Sequence, residues 1–167
     1  KILEAALKEK IIIFINNIII NIMPLFVMRH GESMWNKENK FTGWIDIPLS
    51  EKGKEEALMA GAQLLDYPID HVITSDLRRT KQTAMLLLQY RSDAKKGKIL
   101  FHIAEEIKER CYGDLAGVVK SELKEKYGEK QMHSWRRSYW DAPPNGEYLH
   151  DVRCRVGPYF DHFVAPL

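Results

Sequence analysis

The sequence predicts an α/β fold, a three-layer α/β/α arrangement around a mainly parallel sheet. Short apolar runs alternate with longer segments whose apolar residues recur at helical spacing, which is the pattern of a parallel sheet covered on both faces. The chain has 167 residues and is 45% hydrophobic, which suits one domain with a real core. No internal repeat, low-complexity segment or linker divides this pattern.

Three apolar runs are predicted as strands, because each is short and bounded by charged or turn-forming residues. They are Leu25–Met28, Asp70–Thr74 and Lys98–Ile103. The carboxyl ends of parallel strands meet at one edge of a sheet. The residues that follow the first two strands, from Arg29 and from Ser75 onward, are therefore expected to face one crevice.

Four longer segments are predicted as helices. Ser50 can cap the first, which runs to about Tyr67 with Glu51 favourably placed in its first turn. The residues expected on its buried face are Ala57, Leu58, Gly61, Ala62 and Leu65. The other three helices are predicted at about Leu77–Tyr90, Val118–Tyr127 and Tyr148–Val164.

Residues 1–22 are set apart from the domain predicted over 23–167. The stretch from Ile11 to Met28 carries no formal charge, but the asparagines within it and Pro24 near its end argue against a membrane span. A secretory signal would need an initiating Met and a small-residue cleavage site, which this segment does not show. Ile, Asn, Lys and Phe, which have A/T-rich codons, fill most of its positions. We expect translated upstream DNA, with Met23 as the natural start.

Charge and cysteine content exclude several function classes. The net charge of +2 is small and the cations are dispersed, so nucleic-acid binding is not indicated. Cys111 and Cys154 lack metal-site spacing and are interpreted as reduced thiols of a cytoplasmic protein, with a disulfide as the alternative. His30-Gly31-Glu32 has the His-x-Glu form of zinc deaminases, but the cysteine pair that completes their site is missing, so no metal is predicted.

The segment 29–33, Arg-His-Gly-Glu-Ser, is the strongest local indication of chemistry because it follows the first strand directly. Gly31 lets an anion approach the backbone, Arg29 offers donors that match phosphoryl oxygens, and Ser33 and Asn36 add neutral donors. A neutral His30 can attack phosphorus when a hydrogen bond, expected from the backbone, holds its other ring nitrogen. Taken alone, the segment leaves a purely structural histidine as the alternative.

Further blocks of sequence stand out at regular places along the chain. Together with the first they are Arg29–Asn36, Phe41–Asp46 with Pro48–Ser50, Thr74–Thr80, Glu109–Gly117, Trp135–Tyr139 and Pro143–Glu147. In this order and spacing, from Pro24 to the last residue, they resemble the cofactor-dependent phosphoglycerate mutases of the histidine phosphatase superfamily, in their short form. The resemblance implies that family's α/β fold.

The resemblance also implies a catalytic set of His30, Arg29, Arg79 and Glu109. His30 would take up the phosphoryl group, and the two arginines would supply positive charge from two strand ends. Glu109 would be the general acid and base, its pKa raised by an entering phosphate. The implied substrate-binding residues are Ser33, Asn36, Thr42, Gly43, Arg110, Tyr112, Lys120, Arg136 and Arg137. Trp135 is expected to pack in the interior.

The resemblance further implies parts that the sequence to Leu167 does not show. Family members carry a second catalytic histidine, followed by Gly, after a further strand that lies beside the first one. We therefore expect an incomplete sheet, with unpaired strand edges and an open apolar groove. The 167-residue chain is accordingly expected to be marginally stable or prone to aggregation, with little mutase activity.

The activity that the resemblance implies is interconversion of 3-phosphoglycerate and 2-phosphoglycerate in glycolysis, through phosphohistidine primed by 2,3-bisphosphoglycerate. A phosphomonoester hydrolase of the same superfamily and an inactive gene fragment remain as alternatives. The blocks 41–44 and 135–144 favour the mutase, because simple phosphatases generally lack them. The expected partner is the small phosphoglycerate substrate, without nucleic acid or membrane, and a homo-oligomer stays open.

Overall fold

The computed structural model describes residues 12–14 and 24–167, in which strands and helices alternate. The strands are β1 (Ile12–Phe14), β2 (Phe26–Met28), β3 (His71–Thr74) and β4 (Leu100–Ile103). The helices are α1 (Met34–Lys37), α2 (Glu51–Gln63), α3 (Arg78–Leu87), α4 (Ser92–Lys95), α5 (Lys120–Tyr127), α6 (Glu129–Arg137) and α7 (Leu149–Tyr159). Two 3-10 turns, Glu105–Ile107 and Gly113–Leu115, and a π-helical turn, Phe160–Val164, complete the order.

The strands form two separate pairs. β3 and β4 are parallel, with Val72 opposite Phe101, as the sequence predicts. β1 and β2 are antiparallel, with Ile13 opposite Val27, and this pairing was not predicted. Among the described residues β2 and β3 do not pair, so the two pairs are not joined into one sheet. Most of residues 1–22 lie outside the described residues, and the domain boundary at Met23 stays a prediction.

The first long helix, α2, begins as predicted and ends earlier. The Ser50 hydroxyl accepts a hydrogen bond from the Gly53 amide at 3.1 Å, which is an N-cap. The helix ends at Leu64, where the amide bonds back to the carbonyls of Ala60 and Gly61. Leu65 was predicted on the buried face and is 44% exposed, because it lies beyond this end.

Helices α2 and α3 pack with their backbones almost in contact. A Cβ at Gly61 would lie 2.4 Å from the carbonyl oxygen of Leu87, so a larger residue could not be accommodated there. The small residues Ala57 and Ala60 complete the buried face of α2. This packing fixes α3, whose first turn carries Arg79.

The hydrophobic core of buried residues lies under helices α5 and α6. Leu123 of α5 meets Met132 and Trp135, which lie three residues apart on α6 and so share one face. Phe41 and Leu115 from the preceding loops close the cluster. Trp135 is buried there, which confirms that it packs in the interior.

A groove of about 670 Å³ lies between β2 and β3. Apolar side chains from both strands, from α3 and from the C-terminal turn line it, and among them are Phe26, Val72 and Phe160. The expectation of an incomplete sheet with an open groove is confirmed for the described residues.

Three further features bear on function. No helix among the described residues combines the length and the apolar run that a bilayer crossing needs. Within residues 12–14 and 24–167 no group of three or more His, Cys, Asp or Glu side chains is arranged to hold a metal ion. Cys111 and Cys154 are free thiols.

Candidate active site

Residues from two strand ends and one loop meet at a single point. His30 follows β2, Arg79 lies in the first turn of α3 just after β3, and Glu109 lies in the loop after the first 3-10 turn. The Arg79 guanidinium contacts both of the others. The sequence therefore predicted correctly that the segments after the first two strands face the same place.

The His30 ring is held in a defined tautomer by two partners. Its Nδ1 lies 2.7 Å from the carbonyl oxygen of Gly31, so Nδ1 carries the proton and donates. The Nε–H of Arg79 points at His30 Nε2 over 3.3 Å, which leaves Nε2 as the acceptor with a lone pair. The backbone hydrogen bond expected for one ring nitrogen is present.

The surroundings of His30 keep the imidazole neutral. Burial, followed by the charges of Arg79 and Arg29, lowers the pKa of His30 from 6.5 to about 4, although the bond to Gly31 acts in the opposite direction. At neutral pH the ring is therefore uncharged. An uncharged imidazole whose Nε2 carries no proton can act as a nucleophile when the phosphorus of a ligand replaces the Arg79 N–H at that lone pair.

Arg79 is the most enclosed charged residue of the site, with 0% of its surface exposed. Its Nη1 donates to the carbonyl of Ile45 at 3.0 Å, and its Nη2 donates to the carbonyl of Gly43 at 2.7 Å. Nη2 also forms an ion pair with Glu109 Oε2 at 2.9 Å. Burial lowers the pKa of Arg79 while Glu109 opposes the shift, and an arginine so bonded keeps its charge.

Glu109 is fixed at both its side chain and its backbone. One carboxylate oxygen accepts from Arg79, while the side chain remains 34% exposed and open to a ligand. Its carbonyl oxygen accepts from Trp44 Nε1 at 2.8 Å and from Arg155 Nη2 at 3.1 Å. Glu109 and His30 thus share one guanidinium, which is an arrangement suited to moving a proton beside a nucleophile.

The remaining predicted phosphate ligands differ in how far they are exposed to solvent. Arg29 is exposed, and its charge lowers the pKa of both His30 and Arg79, so it lies close to both. Ser33 is 0% exposed, and its hydroxyl accepts from the Asn36 amide at 3.1 Å while Asn36 Oδ1 accepts from the Ser33 amide. This capping box begins α1. Contact of Ser33 and Asn36 with substrate stays a prediction.

Two predicted substrate ligands carry buried polar atoms without a partner. Thr42 Oγ1 and Arg110 Nη1 are both buried and have no hydrogen bond within the described part of the chain. Arg110 is 6% exposed, its Nη2 donates to the carbonyl of Trp135, and its guanidinium lies 5.0 Å from the Tyr112 ring. An unpaired buried donor costs about 1–3 kcal/mol, so a ligand that pairs with it is favoured.

The other predicted cations surround a separate cavity of about 230 Å³. Lys120, Arg136 and Arg137 line it together with Phe41, and the Lys120 ammonium lies 5.7 Å from the Phe41 ring. Phe41 also packs on Tyr112 at 4.7 Å between ring centroids. The structure therefore places these cations in a second cluster, linked to the His30 cluster through Phe41, Tyr112 and the Glu109 loop.

Gly43 joins the two parts of the site through its backbone. Its φ is +56°, and a Cβ would lie 2.9 Å from the amide nitrogen of Tyr112. Glycine therefore lets the carbonyl of residue 43 reach Arg79.

Sequence reasoning missed the residues that hold the Glu109 loop. Trp44 and Glu147 belong to blocks noted in the sequence but were given no role there, and Arg155 was not singled out at all. No local signal marks Arg155, because one arginine in a helix of mixed polarity is ordinary. A carboxylate after the Pro-Pro-Asn-Gly turn, at Glu147, is the one hint that an ion pair is needed nearby.

Curated proteins with similar sequences are named as phosphoglycerate mutases. The chain is 43% identical over 169 residues to the 2,3-bisphosphoglycerate-dependent phosphoglycerate mutase of Protochlamydia amoebophila, covering 86% of this chain and 74% of that protein. It is 42% identical over 166 residues to 2,3-bisphosphoglycerate-dependent phosphoglycerate mutase 1 of Gloeobacter violaceus, covering 84% and 72%. The chain thus spans about three quarters of the length of these relatives.

Phosphatases are among the solved structures with the same fold. A mycobacterial glucosyl-3-phosphoglycerate phosphatase superposes with a TM-score of 0.69 at 27% identity, covering 82% of this chain and 61% of that one. An alpha-ribazole phosphatase from Shigella flexneri gives a TM-score of 0.67 at 28% identity, covering 81% and 64%. The chain spans less than two thirds of both solved chains.

The family model of the histidine phosphatase superfamily, branch 1, matches residues 25–166. This range contains every residue of both site clusters. The curated relatives are mutases, and the solved structures share the superfamily fold. The chain therefore belongs to the histidine phosphatase superfamily, within the family of 2,3-bisphosphoglycerate-dependent phosphoglycerate mutases, which are isomerases.

Proposed function

We propose that this protein moves a phosphoryl group between the 2- and 3-hydroxyls of glycerate through phosphohistidine at His30. The observation that carries the proposal is the uncharged His30 ring, whose Nε2 lone pair faces the buried Arg79. Phosphoryl transfer needs an aligned nucleophile and positive charge around the equatorial oxygens. His30 supplies the first, and Arg79 with Arg29 supplies the second.

In the first step His30 Nε2 attacks the phosphorus of a phosphate ester. The nitrogen–phosphorus bond forms as the bond to the ester oxygen breaks, and that oxygen leaves with the electron pair. In the second step the free hydroxyl of a phosphoglycerate attacks the phosphohistidine. The nitrogen–phosphorus bond breaks, the phosphoryl group returns to oxygen and His30 is regenerated. One step removes a phosphoryl group from one hydroxyl and the other step adds one to the other hydroxyl, so the overall change is an isomerisation.

We assign the proton transfers to Glu109. An alkoxide is a poor leaving group, so the departing oxygen takes a proton from the Glu109 carboxyl, and the attacking hydroxyl later gives a proton back. Arg79 holds this carboxylate beside the nucleophile.

The residues present fit 2,3-bisphosphoglycerate as the compound that loads His30. Its two phosphates and carboxylate call for two cationic regions, and the chain has them, one at Arg29 and Arg79 and one at Lys120, Arg136 and Arg137. The unpartnered Nη1 of Arg110 is a further donor. When bound, this compound supplies the phosphoryl group that primes the enzyme. We place the reaction in glycolysis, in the cytoplasm.

A phosphomonoester hydrolase is the second candidate. Two of the solved structures that share this fold are named as phosphatases, a glucosyl-3-phosphoglycerate phosphatase and an alpha-ribazole phosphatase. In that case water would take the phosphoryl group from His30. The identity to curated mutases, above 40%, favours the isomerase.

An assay with 3-phosphoglycerate separates the two candidates. Formation of 2-phosphoglycerate and release of phosphate are followed with and without 2,3-bisphosphoglycerate, for the unchanged chain, His30→Gln and the surface control His162→Gln. A mutase forms 2-phosphoglycerate in amounts that rise with 2,3-bisphosphoglycerate, and His30→Gln forms none. Release of phosphate without isomerisation identifies a hydrolase. Absence of both products, with no phosphate taken up by His30, contradicts the proposal and favours the remaining alternative, an inactive fragment.

A further inference from the structure

Arg155, on α7, donates hydrogen bonds to two backbone carbonyls of the Glu109 loop. Its Nη2 donates to the carbonyl of Glu109 at 3.1 Å, and its Nη1 donates to the carbonyl of Glu106. One acceptor lies within the 3-10 turn Glu105–Ile107, and the other is the carbonyl of the acid that follows this turn. One side chain from a remote helix therefore holds both ends of a short active-site segment.

Glu147 orients Arg155. Its carboxylate accepts from Arg155 Nε at 2.9 Å and from Nη2 at 3.0 Å, which is a two-point ion pair with both side chains mostly buried. The same carboxylate accepts from the Cys111 amide at 2.7 Å, and the Glu147 amide donates to the Cys111 carbonyl at 3.0 Å. Glu147 is thus fastened to the chain two residues after Glu109.

The hydrogen bonds of Arg155 and Glu147 fix the backbone at Glu109. Its carbonyl oxygen accepts from Arg155 and from Trp44 Nε1, so both acceptor positions are used. With residues 106, 109 and 111 all tied, the direction in which the Glu109 side chain leaves the backbone is fixed. A displacement of about 1 Å at a reacting group can cost about 100-fold in rate.

We propose that Arg155, held by Glu147, is a positioning residue for the acid-base function of Glu109. It touches no reacting atom, and it acts by fixing the backbone from which the Glu109 carboxylate reaches the leaving oxygen. The proposal rests on the function proposed above. It goes further, because it makes α7 part of the catalytic apparatus.

The test compares two phosphoryl donors that differ in their need for an acid. When phosphoglycerate gives up its phosphoryl group, the departing glycerate alkoxide needs a proton. When p-nitrophenyl phosphate does so, the departing p-nitrophenolate is stable and needs none. Single-turnover formation of phosphohistidine is measured with both donors for the unchanged chain, Arg155→Met, Arg155→Lys and Arg153→Met. Arg153 is the matched control, because it lies on the same helix and its hydrogen bond goes to the Tyr139 hydroxyl.

Arg155→Met is expected to lower the rate with phosphoglycerate by roughly 30-fold, part of the ~10²–10⁴-fold that a positioned acid contributes. The rate with p-nitrophenyl phosphate should change by less than about 3-fold, because its leaving group needs no acid. Arg155→Lys should recover part of the loss, since an ammonium can reach one of the carbonyls, and Arg153→Met should match the unchanged chain. An equal loss with both donors, or no loss with either, overturns the proposal.

A second measurement does not depend on turnover. Amide hydrogen exchange is compared in the same variants at Cys111, whose amide donates to Glu147. Arg155→Met should speed exchange there while leaving α2 unchanged, and Arg153→Met should change neither. If the unchanged chain forms no phosphohistidine from either donor, the function proposed above fails. The exchange result then decides on Arg155 alone, and unchanged exchange at Cys111 overturns its positioning role.

Discussion

The two sides of His30 are built in opposite ways. On one side Arg79 is fully enclosed, and its donors meet His30, Gly43, Ile45 and Glu109. On the other side His30 lines the groove of about 670 Å³ between β2 and β3. One side holds its polar groups in fixed pairs, and the other leaves apolar side chains and strand edges open.

The Arg79 side determines the geometry of the site, whereas the groove side affects the stability of the fold. The Arg79 side depends on loops and helix starts that bond to one another, so it does not need a continuous sheet. The groove side depends on strand pairing, which the described residues do not provide between β2 and β3. The contacts around Arg79 can therefore be well ordered although β2 and β3 are not paired within the described residues.

Loss of Arg79 should have the largest effect. Arg79→Met removes the charge beside the nucleophile and should slow phosphohistidine formation by about 10²–10³-fold. It also leaves the carbonyls of Gly43 and Ile45 without their donor, at about 1–3 kcal/mol each. Rates and urea denaturation should be compared with Arg78→Met, because Arg78 is the exposed neighbour on the same helix turn. Equal behaviour of the two variants would contradict the central role of Arg79.

Truncations in the core and in the groove should differ in cost. Leu115 is 1% exposed in the core cluster, so Leu115→Ala should lower the free energy of unfolding by about 2–5 kcal/mol. Leu25 lines the groove and is 37% exposed, so Leu25→Ala should cost less than about 1 kcal/mol. Urea denaturation measures both. A Leu25→Ala cost equal to that of Leu115→Ala would mean that the groove is closed in solution.

Acid should destabilise the protein through His30. In the unfolded chain this ring is protonated below about pH 6.5, whereas in the folded chain it stays neutral down to about pH 4. Stability therefore decreases as the pH is lowered from 6.5 to 4. The loss attributable to His30 is roughly 3 kcal/mol. It is measured as the difference in unfolding free energy between the unchanged chain and His30→Gln from pH 7 to 4. A difference that stays constant with pH would show that the ring is not held neutral.

The smallest effect on stability should come from the open strand edge. Val27 of β2 is 49% exposed, and Val27→Lys should reduce light scattering on heating while changing the free energy of unfolding by less than about 0.5 kcal/mol. A charge on an exposed strand disfavours pairing with another chain. The exposed residue Lys37 offers a control, since Lys37→Gln lies away from the strands. If Val27→Lys aggregates as much as the unchanged chain, the chains associate through a surface other than β2.

The features that the sequence predicted correctly depend mostly on residues close together in the chain. Ser50 was predicted as a helix cap because a hydroxyl before an acidic first turn suffices to make one. His30 and Arg79 were placed together because both follow strand ends. The predicted helix ending at Tyr67 was too long. The apolar spacing continues past Leu64, but there the α-helical hydrogen bonds give way to turn bonds, from Leu65 to Ala62 and from Tyr67 to Leu64.

Contacts between distant segments were beyond the sequence. The bonds of Trp44 and Arg155 to the Glu109 carbonyl join segments far apart in the chain, and no residue pattern announces them. The separation of Lys120, Arg136 and Arg137 into their own cavity likewise depends on how α5 and α6 pack. The Ser33 oxygen accepts the capping hydrogen bond, and its O–H can still donate to a phosphate, so the cap does not exclude the predicted contact.

The most direct test is to find where phosphate attaches to the protein. The chain is incubated with 2,3-bisphosphoglycerate, and ³¹P NMR of the denatured protein, with peptide mass spectrometry, identifies the residue and the ring nitrogen. Because Nδ1 donates to Gly31 and Nε2 carries the lone pair, the phosphoryl group should be found on His30 Nε2 and be lost in His30→Gln. Phosphate on Nδ1, on another residue or on none would contradict the account.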